Sequence, residues 1–220
     1  MRLFADNGYE STTVDQIAAA AGVARRTFFR YFATKEDAVF PDHEKTLAKV
    51  ARVLGEATAD DDPVTVVCRG IREVLRMYIS DPDVSVARYR LLRQVPALRE
   101  RENGVVSRYE RLFTKFLLEH SASTAADDAR AALLAEVSAA AVVATHNHVL
   151  RRWLRAGGNG DALTQLDDAL DTTMATFVDR RGDRVPVTDR RHVVVAVSRT
   201  SVPPEEVVEA VRRALTEPAD

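Results

Sequence analysis

The sequence predicts an all-α protein: a small three-helix N-terminal head with a helix-turn-helix, a larger helical body, and a C-terminal strand-helix tail. Three observations carry that expectation. Apolar residues recur at i, i+3, i+4 and i+7 from about residue 14 to residue 180. Strand-like character is confined to one short run, HVVVAVS, near the C-terminus. The breaks between periodic stretches are glycines, prolines and small acids, the punctuation of helix starts and stops. The expected divisions are residues 1–45 for the head, 46–182 for the body and 183–220 for the linker and tail.

In chain order, MRLFADN reads as a short first helix stopped by Gly8, with Leu3 and Phe4 packing under the helix-turn-helix. The segment TTVDQIAAAAGVARRTFFRYFATK organises the head. Val14, Ile17, Ala18 and Ala21 form one apolar stripe, and Thr13 with Gln16 has the spacing of a capping box. Gly22 ends that helix where a left-handed φ is needed. The next helix turns Phe28 and Phe32 inward at i, i+4, leaving Arg25 with Phe29, Arg26 with Arg30, and Thr27 with Tyr31 as its other rows. Between Val23 and Lys35 lie Arg25, Arg26, Arg30 and Lys35 and no acid. Arginine forks suit guanine edges, whereas lysines and hydroxyls more often hold phosphates. A basic run alone reads equally as a solvated helix face; the cap, glycine and inward rings favour a DNA-reading helix-turn-helix.

A fourth helix is expected from Lys35 to about Glu56, with Glu36 and Asp37 in its first turn and an interruption at Pro41. ATADDDPVT is a polar break. Five helices should come after it, at about 63–80, 84–95, 97–120, 129–155 and 161–180, divided by Asp81-Pro82, Pro96, a polar loop at 121–128 and Gly157-Gly158. The last two carry seams: Leu134, Val137, Ala141, Ala144 and His148 on one, and Leu163, Leu166, Leu170, Met174 and Phe177 on the other. Such heptad-like seams of small and apolar residues either face the subunit's own core or meet a second copy in a four-helix packing. The tail reads as a strand at Val193 to Val197 and a short amphipathic helix, pairing with a second subunit or docking on the body.

The 220 residues carry a net charge of −2, which excludes a globally basic nucleic-acid coat but not one local basic patch. Cys68 is the sole cysteine, so an intrachain disulfide is excluded and a buried apolar role is expected. No signal peptide is evident, and no apolar run is expected to approach the roughly 18 residues of a membrane span, which points to a soluble intracellular chain. No H-E-x-x-H, G-x-S-x-G or C-x-x-C occurs. His146 and His148 point about 200° apart on one helix and cannot share a metal. Gly157, Gly158 and Gly160 come after a helix instead of opening one, so no phosphate cradle is expected. Neither catalysis nor a cofactor or metal is anticipated. Met77, Tyr78, Tyr89, Phe113 and Phe116 are candidates for a shared ligand pocket, with ordinary core packing as the alternative.

The string GYESTTVDQIAAAAGVARRTFFRYFATKEDAV resembles the DNA-binding domain of the TetR family of bacterial regulators over roughly the first fifth of the chain. The resemblance implies that Thr13 caps its helix against a DNA phosphate, that Arg25, Arg26 and Thr27 reach base edges, that Tyr31 touches the backbone and that Lys35 binds phosphate. Two positions depart from the family pattern: Ala24 replaces a frequent capping serine, and Phe29 stands where a tyrosine hydroxyl usually meets phosphate. The first helix is also shorter than the family's. Leu134, Val137, Ala141, Ala144, His148, Leu166, Leu170, Met174 and Phe177 would form a homodimer interface. The implied function is a cytoplasmic homodimeric repressor that binds a palindromic double-stranded operator and leaves it on binding a lipophilic small molecule. The arginine-rich segment containing Arg88, Arg90, Arg93, Arg99 and Arg101 resembles members whose effector is acyl-CoA-like. The alternative is a dimeric helical ligand-binding protein without sequence-specific DNA binding.

Overall fold

The computed structural model describes residues 1–121 and 128–182, with only the backbone described for Asp128 and residues 176–182. The loop at 122–127, the Phe177 side chain and the strand-helix tail expected at 183–220 lie outside the described residues. Among the described residues there are nine α-helices and no strand: α1 (Arg2–Asn7), α2 (Val14–Ala20), α3 (Arg25–Tyr31), α4 (His43–Gly55), α5 (Pro63–Ile79), α6 (Pro82–Gln94), α7 (Pro96–Glu119), α8 (Asp128–Arg155) and α9 (Ala162–Gly182).

Local chemistry sets most of these bounds. Asp62 accepts from Thr65 N at 2.8 Å and Asp81 from Val84 N at 3.1 Å, and a proline stands after each acid at the first helical position. That pairing satisfies one orphan N–H and uses a residue with none to offer. The fourth helix is the exception. Residues 35–40 form turns, and α4 starts at His43, where the Asp42 carboxylate accepts from Lys45 N at 2.9 Å. Asp37 instead closes a separate turn by accepting from Thr34 N at 2.8 Å. Pro41 thus restarts the helix; it does not bend one.

α5 is the axis of the body and packs against α4, α6, α7, α8 and α9. Its Val66, Val67, Ile71, Val74 and Leu75 are buried with Phe113 and Leu117 of α7, Val142 and Val143 of α8 and Leu166 of α9. α8 corrects one expectation. Its segment Ala129–Arg155 is long and apolar enough to cross a membrane, although 44% of that window is buried inside the protein. Ala135, Ala139, Val142, Val149 and Leu150 are among the residues it buries against the bundle.

The head has its own smaller core, and half of it is borrowed. Phe4, Tyr9 and Val39 are buried together with Leu91 and Leu92 of α6 and Leu98 of α7. Phe28 is 4% exposed and anchors α3, but Phe32 is 37% exposed. The inward role expected for Phe32 is only half met: it falls at the C-cap, where extended backbone turns it aside, and its ring rests 5.2 Å from that of Phe28.

At Gly70, α5 passes closest to its neighbours: an added Cβ would lie 3.1 Å from Phe113 Cε1 and 3.3 Å from Val50 Cγ1. Phe113 is fully buried and has no space into which to retreat. Gly70→Val is therefore expected to destabilise the fold by about 1–3 kcal/mol through overpacking. Urea unfolding checks this: the midpoint should fall while the slope is kept.

Candidate nucleic-acid interface and effector site

The reading head is built on reciprocal backbone satisfaction. Gln16 N donates to Thr13 Oγ1 at 3.3 Å and Thr13 N donates to Gln16 Oε1 at 2.8 Å, completing the capping box. At the far end Gly22 adopts φ +67°, while Gly22 N reaches Ala19 O and Val23 N reaches Ala18 O, each at 3.0 Å. These bonds satisfy carbonyls that the helix end leaves open. α3 begins without a side-chain cap at Ala24, as the missing hydroxyl requires.

With Phe28 inward, Arg25, Arg26, Phe29, Arg30 and Tyr31 are exposed, Tyr31 to 70%, and Thr27 is half-buried. The cations differ in how free they are. Arg25 pairs with Asp15 of α2 at 2.7 Å, and its guanidinium lies 5.4 Å from the Phe29 ring centroid. Arg30 lies over Tyr31 at 4.9 Å. Arg26 has no hydrogen bond or ion pair among the described residues. Lys35 is turned inward: its ammonium donates to Tyr9 O at 3.0 Å and lies 4.3 Å from the Tyr9 ring centroid. The ammonium thus braces the α1–α2 junction, and Tyr9, in turn, donates to Glu36. Sequence reasoning missed Asp15 and Tyr9 as partners; neither carries a spacing signal toward the residue it meets.

Three arginines of α6 and α7 reach residues 37–44. Arg88 Nε donates to Val39 O at 2.7 Å in a buried position. Arg101 of α7 pairs with Asp37. Arg108 meets both Glu44 oxygens, at 2.5 and 2.9 Å. Arg88 is buried, unlike Arg90, Arg93, Arg99 and Arg101. A signal for this existed: Arg88 stands three and four residues before Leu91 and Leu92, on α6's apolar stripe.

Inside the body a group of rings joins several helices. His43 Nδ1 lies 3.2 Å from Tyr109 Oη, and the Tyr78 ring centroid lies 6.2 Å from that of His43 and 6.3 Å from that of His146. Thr46 Oγ1 lies 3.0 Å from Met77 Sδ. His146 Nδ1 meets Asn147 Oδ1 at 3.1 Å, but its Nε2 is buried without a partner, as is Trp153 Nε1. The five aromatic and methionine candidates do not all behave as pocket walls. Phe113 has no exposed surface and Phe116 has 5%, so both fill the core, whereas half-buried Tyr89 accepts from Arg155 Nε at 3.3 Å. Ring size in sequence does not distinguish filling a core from lining a void.

A cavity of about 530 Å³ opens elsewhere, among α5, α8 and α9, lined by Cys68, Arg69, Arg72, Asp167, Leu170 and Met174 with others. Burial pushes the Cys68 thiol up to about 11, so it remains a protonated, half-buried side chain.

The two seams separate. On α8, Leu134 and Val137 are each 40% exposed, Ala144 and His148 are exposed and Ala141 is half-buried; Leu133, at 59%, extends the patch. On α9, Leu166 and Leu170 are buried in the subunit's own core, which corrects their expected place at a dimer contact. Periodicity marks an apolar face without saying who covers it. Met174 is half-buried and also lines the cavity.

Two separate stretches of the chain match known families. Residues 1–39 match the profile of the bacterial regulatory proteins of the tetR family, and residues 61–178 match that of the MftR C-terminal domain. A Mycobacterium tuberculosis protein described as a mycofactocin biosynthesis transcriptional regulator, MftR, is 28% identical over 131 residues, 58% of this chain and 64% of the relative. The HTH-type transcriptional regulator TcmR of Streptomyces glaucescens is 32% identical over 111 residues, 50% of this chain and 49% of the relative. The alignments therefore span less than two thirds of either relative. A crystal structure of the transcriptional regulator FadR from Bacillus subtilis in complex with stearoyl-CoA shares the fold, with a TM-score of 0.50 and 20% identity over 78% of this chain and 92% of that one.

Burial lowers both His43 and His146 from 6.5 to about 4, and at His43 the nearby Arg88 and Arg108 charges add to the effect. The unfolded chain takes up protons below about 6.5 that the folded chain refuses until about 4. Stability from this source is thus complete above 6.5 and lost as the pH falls toward 4. Urea midpoints measured across that window should decline, and His43→Gln and His146→Gln should each flatten the decline; an unchanged slope in both would contradict the assignment.

Proposed function

The chain belongs to the TetR family of bacterial regulatory proteins, with the MftR C-terminal domain as its body, and from that premise we propose a cytoplasmic one-component repressor. It binds palindromic operator DNA as a homodimer and leaves it when a lipophilic, acyl-CoA-like molecule enters the body. The family is one of regulators, not of enzymes.

The observation that supports DNA reading best is the exposed row of Arg26 and Arg30 on a helix pinned by buried Phe28. Arg26 is the principal base-reading residue in this proposal, since it has nothing to give up. Arg25 must exchange Asp15 for DNA, a modest cost because exposed pairs of this kind contribute about 0–1 kcal/mol. Thr27 joins the arginines at the base edges, and Thr13 and Tyr31 hold the DNA backbone. Phe29 offers no hydroxyl, so the arginines carry more of the affinity. Lys35 braces the head from within and contributes through position.

The exposed Leu133, Leu134 and Val137 on α8 favour a second copy of the chain as the partner for that helix. A two-fold pair sets two α3 helices into successive major grooves, roughly 34–36 Å apart. The effector acts by preferring one arrangement of the body; a differential of about 1–3 kcal/mol changes operator affinity 5- to 150-fold.

A mobility shift on DNA from upstream of the gene, titrated with salt, tests the proposal. Arg26→Ala should weaken binding by about 1–3 kcal/mol and relax preference at one base position. Sequence-blind binding indifferent to that change would instead leave a ligand-binding protein without operator recognition. Independently, Leu134→Asp should give a monomer by analytical ultracentrifugation and lose operator binding while the helical signal persists. A variant that stays dimeric would move the interface away from α8.

A further inference from the structure

The geometry points to Arg88 as an interior anchor for an acidic oxygen of the effector, a carboxylate or a phosphate, and as the contact through which effector binding reaches the DNA-reading head. This inference rests on the effector reading above and deepens it by naming the group that meets the ligand's charge.

Arg88 is 8% exposed, and among the described residues its single hydrogen bond runs from Nε to Val39 O. A guanidinium carries five N–H donors, so most of its capacity is unused. No carboxylate of the described residues pairs with it. Such a cation is costly to bury unless something compensates its charge. The acids within electrostatic range are Glu102 of α7 and Asp81 at the start of α6, and neither is in contact. Burial raises the Glu102 carboxyl above its ordinary range, against the opposing pull of Arg88 and Arg151.

The surroundings are equally unfinished. Tyr78, 8% exposed, lies within electrostatic range of Arg88, and its hydroxyl has no hydrogen bond among the described residues. The His146 ring, 3% exposed, lies 6.3 Å from that of Tyr78, with Nε2 buried and unpartnered among the described residues. Its Nδ1 is committed to the Asn147 carbonyl oxygen, which makes Nε2 of the neutral ring an acceptor awaiting a donor. A cation, a phenol and an imidazole, from α6, α5 and α8, thus each retain polar capacity in an otherwise apolar core. Buried polar groups are ordinarily satisfied; of these three, His146 alone has a fully buried atom left without a partner among the described residues, while Arg88 and Tyr78 keep donors that an added acceptor can take up. An acidic group accepting from Arg88 and Tyr78 removes the largest deficit.

The consequence for the head comes from the other end of the same side chain. Val39 is 1% exposed and belongs to the core shared by Phe4, Tyr9, Leu91, Leu92 and Leu98. An anion that draws the guanidinium toward Tyr78 loosens its bond to Val39 O, and with it the seat of the head on α6.

The test uses the full-length protein and three probes of one chain length: laurate, lauroyl-CoA and 1-dodecanol. Binding is read by thermal shift and calorimetry, and operator release by mobility shift. Laurate or lauroyl-CoA should raise the wild-type midpoint and release DNA, and 1-dodecanol should do so at least tenfold less well. Laurate alone marks a carboxylate ligand; lauroyl-CoA alone marks a phosphate. Arg88→Gln should abolish the preference for the charged probe, and Arg88→Lys should keep part of it. Equal binding of acid and alcohol by wild type, or a preference that survives Arg88→Gln, overturns this inference and leaves the lipophilic-effector reading standing. If Arg88→Gln does not fold, the wild-type comparison and Arg88→Lys still decide. Failure of all three probes on wild type overturns the acyl-effector reading, and this inference with it.

Discussion

The head cannot complete its own core, and the rest of the architecture is a response to that shortage. Its helices run to six or seven residues, far below the roughly 12–15 at which isolated helices become even marginally stable. Phe4, Tyr9 and Val39 are covered only because Leu91, Leu92 and Leu98 reach in from α6 and α7. The reading helix therefore owes its position, and part of its stability, to two helices of the body. A head independently folded on a flexible tether would report nothing about the body's state. One that shares leucines with it must move or loosen when α6 does.

Electrostatics act at short range here. With a net charge of −2, the chain has no long-range attraction for a polyanion. At physiological salt, charges farther apart than about 8 Å are largely screened. What matters is the local row on α3, and there Asp15 offsets Arg25 while leaving Arg26 and Arg30 unopposed. This arrangement favours discrimination over indiscriminate adhesion: an arginine that must exchange a carboxylate for a base edge gains only where the base fits.

The helices of the body were legible because their starts are chemically marked. Asp62-Pro63, Asp81-Pro82 and Pro96 leave little choice of where α5, α6 and α7 begin. In the head, the capping box and Gly22 were readable for the same reason. The start of α4 was not, since Glu36-Asp37 and Asp42 are rival acids and only tertiary packing chooses between them. The partners of Lys35 in the free protein went unread because they are backbone carbonyls of residues 9 and 12, which no side-chain pattern announces. The seam on α9 was read as apolar, correctly, but periodicity is silent on whether the covering surface is the subunit's own. Arg88 was not set apart from the other arginines of its segment, although its register with Leu91 and Leu92 places it on the buried stripe.

That register bears on how small a change can switch the molecule. Of the contacts by which α6 and α7 grip residues 37–44, the pairs Arg101–Asp37 and Arg108–Glu44 are at least partly exposed. Such pairs are screened and individually weak. The bond from Arg88 to Val39 O is buried and charge-assisted, a kind that contributes about 1.5–3 kcal/mol. Allosteric couplings are typically about 1–3 kcal/mol, so one hydrogen bond of this type covers the whole range. No wholesale repacking of the α5-centred core is required for the head to shift. The core can remain rigid while the Arg88–Val39 bond is made or broken, and on the proposed reading that one polar contact is enough to bias the seat of the head.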